Sequence, residues 1–139
     1  MHFQAYFKHT ITDEGFRNVA VNGRTTGYEI RIRFPSYRGS QLSCVTRLDL
    51  SVDGAPVDPN DLLLCLNGKE FLMSRIPELY SEYWFVLDRA TLRVAKEGGL
   101  APGNHEVRVD FAYRVPYTGY SGDYVVAEGR HVRTLAMAR

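Results

Sequence analysis

From position 107 onward apolar and charged residues take turns: Val107, Val109, Phe111, Tyr113 and Val115 alternate with Arg108, Asp110 and Arg114. Successive side chains of a strand point to opposite faces, so this run predicts a strand with one dry face and one wet face. A turn rich in glycine and proline, Gly98 to Gly103, leads into it. The same alternation returns at Tyr28 to Phe34, with Tyr28, Ile30, Ile32 and Phe34 inward and Glu29, Arg31 and Arg33 outward. Leu42 to Val52 reads as a third strand. Leu62 to Leu66 is a continuous apolar run, the mark of a strand buried on both faces.

Turn signals separate these runs. Asn22-Gly23, Asp53-Gly54 and Asn67-Gly68 are dipeptides suited to the positive φ angles of tight hairpins. Pro35 to Gly39 and Pro56 to Asp61 read as loops, and Ser74 to Glu82 as a single helical turn with Pro77 near its start. Lys69 to Met73, Trp84 to Leu87, Thr91 to Ala95, Tyr124 to Ala127 and His131 to Leu135 complete a set of short strands. Short strands at this spacing, without a long helix, predict an all-β antiparallel sandwich or jelly roll. No linker, repeat or low-complexity segment divides the 139 residues, so residues 1–139 form a single expected domain.

Composition narrows the function without naming it. Seventeen basic residues against sixteen acidic ones leave a net charge of +1, which lacks the positive field of a nucleic-acid binder. No run approaches the ~20 apolar residues of a spanning helix, and the first residues show no secretory signal, so a cytoplasmic protein without membrane contact is expected. Cys44 and Cys65 form no disulfide framework and read as small hydrophobes.

No self-contained catalytic motif stands in the sequence. The four histidines, at positions 2, 9, 105 and 131, lack metal-ligand spacing, and no nucleophile elbow or phosphate loop occurs. His105, directly after a Pro-Gly turn, is placed to hydrogen-bond the turn backbone, with partner contact as its secondary role. Aromatic residues are the positive signal. Tyr113, Tyr117, Tyr120 and Tyr124 form one group; Tyr80, Tyr83, Trp84 and Phe85 form another. Such residues fill cores, anchor protein interfaces or stack on sugars.

Read in order, several segments resemble the small β subunit of bacterial C-glycoside deglycosidases. They are Gly15-Phe-Arg-Asn-Val19, Asn22-Gly-Arg-Thr-Thr-Gly-Tyr28, Tyr37-Arg-Gly39, Leu42-Ser43, Val52-Asp-Gly54, Leu66-Asn-Gly68, Gly98 to Val107, and Arg114-Val-Pro-Tyr117. The resemblance implies a β-sandwich that docks on a TIM-barrel α subunit holding a divalent metal, expected to be manganese. It implies a carbon–carbon lyase acting on 3-oxo-C-glycosides, with catalytic residues and cofactor in the partner and none in this chain. The loops that strand pairing does not need supply the expected partner-interface or pocket-mouth residues: Tyr37, Arg38, Tyr117, Tyr120 and Tyr124, with His105 and Trp84 as secondary candidates. A stand-alone carbohydrate-binding or adaptor module, or an enzyme with a dispersed site, remains open at this point.

Overall fold

A computed structural model of the protein describes residues 10–36, 38–115 and 125–138. Two antiparallel sheets face each other. The first runs in the order β1 (Arg17–Val21), β2 (Arg24–Arg33), β9 (Arg89–Ala95), β6 (Leu62–Leu66), β7 (Lys69–Leu72). The second runs β11 (Val126–Met137), β10 (Gly103–Arg114), β4 (Val45–Val52), β5 (Ala55–Pro56). A two-stranded patch pairs β3 (Ser40–Gln41) with β8 (Tyr83–Trp84). The expected all-β fold is present.

The inward residues expected of the two best strands fill the space between the sheets. Tyr28, Ile30, Ile32 and Phe34 meet Val107, Val109, Phe111, Tyr113 and Val115 in one continuous core, joined by Leu50, Leu64 and Leu92. None of the nine is more than 5% exposed. The three hairpin dipeptides behave as their chemistry demands: Asn22, Asp53 and Asn67 all take positive φ, near 50–57°, each followed by a glycine that does the same.

Several expectations are corrected. Leu42 to Val52 is broken: β3 and a 3-10 turn at Leu42–Cys44 precede β4, because Ser40 and Gln41 are drawn aside to pair with β8. The helical turn begins earlier, at Met73–Glu78, and Pro77 lies near its end. Trp84 to Leu87 is strand only at Tyr83–Trp84. The two short C-terminal strands are one, β11, paired with β10 without a register shift. Leu62, Leu64 and Leu66 are buried, but Leu63 and Cys65 are half-exposed on the outer face, so β6 is covered fully on one side only.

Glu29 is the most informative departure. It points to the outer face as its parity requires, yet is 3% exposed. Its carboxylate accepts hydrogen bonds from Arg17 Nε at 2.6 Å and Arg93 Nε at 3.3 Å, from the strands on either side. Arg93 also reaches Glu70 on β7 at 3.0 Å. The long arginine stems cover the shorter carboxylate and keep their own guanidinium groups in water.

Candidate functional site

Strand direction gathers one set of loops at one end of the sandwich. The C-terminal ends of β2, β6 and β10 and the N-terminal ends of β4, β9 and β11 lie there. At this end residues 79–88 form a firmly held loop. The amides of Leu42 and Ser43 donate to the Glu82 and Leu79 carbonyls at 2.8 and 3.2 Å. Asn67 Nδ2 donates to the Tyr83 carbonyl at 3.0 Å, and Lys69 Nζ bonds Glu82 at 2.8 Å.

Trp84 anchors the loop from below. Its ring meets Phe34 and Phe111 edge-on at 5.3 and 5.9 Å, and its indole N–H donates to the Asp88 carbonyl at 3.0 Å. Fully buried, Trp84 belongs to the core and offers no surface to a partner. Around it the neighbouring side chains face solvent: Tyr80 is 76% exposed, Tyr83 43%, Phe85 48% and Leu87 78%. A loop that is pinned by its backbone yet presents large apolar side chains has already met the ordering cost of binding. Leu87 was not singled out in the sequence because one leucine between aromatic residues and an Asp-Arg pair carries no pattern.

Arg38 is exposed, next to the Gly39 backbone that packs against Trp84. Gly39 makes the approach possible: a Cβ there would stand 2.1 Å from the Trp84 carbonyl oxygen. Of the other interface candidates, Tyr37, Tyr117, Tyr120 and Tyr124 lie outside the described residues. Val115 and Val125, whose backbones hydrogen-bond at 2.8 Å, stand at the same end. Of the first aromatic group only Tyr113 is among the described residues, and its ring is buried against Phe34 at 4.8 Å.

His105 lies at the opposite end. Its Nε2 contacts the Ala101 carbonyl at 2.7 Å and its Nδ1 contacts Asp53 Oδ2 at 2.6 Å. The hydrogen bond to the turn backbone is the one its position suggested. Acceptors at both nitrogens favour the charged ring: the Ala101 carbonyl first, then the Asp53 carboxylate, raise its pKa above the ordinary 6.5. Among the described residues no group of three or more His, Cys, Asp or Glu side chains comes together to hold a metal ion. His2 and His9 lie outside those residues.

Residues 6–117 match the family model described as C-glycoside deglycosidase beta subunit. The chain belongs to this family. A C-glycoside deglycosidase beta subunit of Eubacterium cellulosolvens is 32% identical over 111 residues, 79% of this chain and 76% of that protein. A 3'-dehydrocarminate deglycosidase beta subunit of a Microbacterium species is 36% identical over 99 residues, 70% and 73% of the two chains. A C-glycoside deglycosidase beta subunit of Arthrobacter globiformis is 28% identical over 110 residues, 79% and 84%.

In this deglycosidase β subunit the segments that carry the family likeness hold the fold together. Asn18, in the first of them, exchanges two hydrogen bonds with Leu100, in the second-last: Nδ2 to the carbonyl at 3.0 Å, and the amide back to Oδ1 at 2.9 Å. Asp53 binds His105 and also accepts the Glu106 amide at 2.9 Å. Cys44 and Cys65 are both free thiols. The matched span includes the exposed aromatic end and stops before β11.

Proposed function

We propose that the chain is the non-catalytic β subunit of a carbon–carbon lyase that releases an aromatic, flavonoid-type aglycone from a 3-oxo-C-glycoside. Membership of the family makes it a subunit of a deglycosidase complex; the reaction and the partner are the proposal. A C-glycosidic bond has no leaving oxygen to protonate, so the acid–base scheme of ordinary glycosidases does not apply. A ketone at C3 acidifies the C2 proton. Removal of that proton by a base gives an enolate, whose electron pair forms the C1–C2 double bond as the C1–aryl bond breaks. The departing ring carbon takes up a proton, a step eased in a phenol that spreads the charge.

Among the described residues no His, Cys, Asp and Glu cluster could hold a metal ion; we assign the divalent metal, manganese, and the base to a TIM-barrel α subunit. The observation that carries the reading is the pinned aromatic end of the sandwich. Tyr80, Tyr83, Phe85 and Leu87 are exposed on one loop and Arg38 is exposed in the segment leading to its β3 partner, residue types enriched at interface hot spots. Work in the reducing cytoplasm suits the two free thiols. Co-expression with a candidate TIM-barrel α subunit, followed by size-exclusion chromatography, tests the reading. Co-elution is expected; separate elution at micromolar concentration removes it.

A further inference from the structure

β11 is the open edge of the second sheet. It pairs with β10 from Val126 to Met137, and among the described residues it is paired with no other strand. A regular twelve-residue edge is a template for pairing with another chain. The hydrogen-bond parity fixes which groups it presents. The Val115 amide donates to the Val125 carbonyl, and Arg114 stands opposite Val126. Odd-numbered residues of β11 therefore bond β10, and even-numbered ones turn their N–H and C=O groups to the open side.

We propose that two copies of this chain pair antiparallel through β11, with Gly129 opposite Gly129 at the two-fold axis. The even-numbered residues Val126, Glu128, Arg130 and Val132 are exposed on the outer face of the strand. Their order reverses in character about Gly129. In the proposed register Glu128 faces Arg130 of the second copy, and Val126 faces Val132. Each of these residues belongs to the even set, so the backbone groups on the open side meet as hydrogen-bonded pairs. Arg130 keeps its own-chain partner Asp110, at 2.9 Å, and gains a second carboxylate.

Neighbouring registers are disfavoured. A slip of one pairing step sets Glu128 against Glu128 in one direction and Arg130 against Arg130 in the other, and like charges directly opposite repel. An odd slip sets groups that face β10 against groups that face outward. Opposite charges and matched valines coincide only in the Gly129-centred pairing. β11 lies beyond the residues matched by the family model.

Sedimentation velocity on the full chain across a concentration series tests the proposal. The wild type should form a dimer. Glu128→Arg or Arg130→Glu alone should weaken it at least tenfold, with Arg130→Ala as the milder control for the Asp110 contact. Mixing the two charge variants in equal amounts should restore a dimer, because a chain with two arginines then faces one with two glutamates. Thermal melts establish that each variant is folded. A wild type that stays monomeric throughout overturns the proposal, whether the edge is covered by residues 1–9 or taken by an α subunit. Single variants that dimerise like wild type, or a mixture that stays monomeric, overturn it equally.

Discussion

The imidazole of His105 and the carboxylate of Asp53 meet at 2.6 Å, tying the start of β10 to the β4–β5 hairpin. Each shifts the other: the Asp53 pKa is lowered, chiefly by the His105 hydrogen bond, and the His105 pKa is raised. A raised histidine pKa adds stability that is fully present below the unfolded value near 6.5 and is lost as pH rises through the folded value. Comparison of melting temperature against pH for wild type and His105→Gln should show the largest gap below pH 6.5, closing in alkaline solution. His131 acts in the opposite sense, since burial lowers its pKa and favours the neutral ring, so its contribution is lost as pH falls. A gap that widens above neutrality would show that the His105 ring is not held protonated.

The core strand makes a sharper contrast. Val109 and Phe111 are buried, at 0% and 1% exposure, whereas Arg108 faces outward beside Asp110. Val109→Asp or Phe111→Asp buries an unpaired charge and should cost several kcal/mol, enough to prevent folding in a domain of this size. Arg108→Glu should change stability by about 1 kcal/mol or less in the isolated chain. Urea unfolding measures both. Equal effects would place the strand in the other register.

The aromatic end should separate binding from stability. Tyr80→Ala, Phe85→Ala and Leu87→Ala each remove an exposed side chain from a loop whose backbone is held elsewhere. Each should weaken α-subunit binding by ~1.4 kcal/mol, about tenfold, and leave the melting temperature of the free chain nearly unchanged. Trp84→Ala is the counter-example: it should lower the melting temperature severely, because it removes the ring on which Phe34 and Phe111 pack. Titration calorimetry with parallel melts reads both quantities. Wild-type affinity in all three surface variants would move the interface away from this end.

The sequence made the fold legible wherever one residue's environment depends on its strand parity. The inward sets of β2 and β10 follow from alternation, and the hairpins follow from Asn-Gly and Asp-Gly. Parity could not show that Glu29 is buried on an outer face, because its burial comes from Arg17 and Arg93 on neighbouring strands far apart in sequence. Nor could it separate Trp84 from Tyr83 and Phe85. All three are aromatic and adjacent; only the packing of Phe34 and the close approach of Gly39 decide which one turns inward. His105 was placed correctly against its turn backbone, but its second partner, Asp53, is brought there by the pairing of β4 with β10. The segment after Arg38 reads as loop, yet Ser40 and Gln41 pair with β8, a two-residue strand too short to show as alternation.

The central claim is that this chain contributes contact, and its partner contributes chemistry. The most direct measurement is aglycone release from a purified 3-oxo-C-glycoside by the chain alone, by the TIM-barrel partner alone and by the two mixed. The account predicts no release by the chain alone and a large gain in the partner's rate when the chain is added, saturating with complex formation. Release by the chain alone, or a partner whose rate is unchanged by it, would contradict the account.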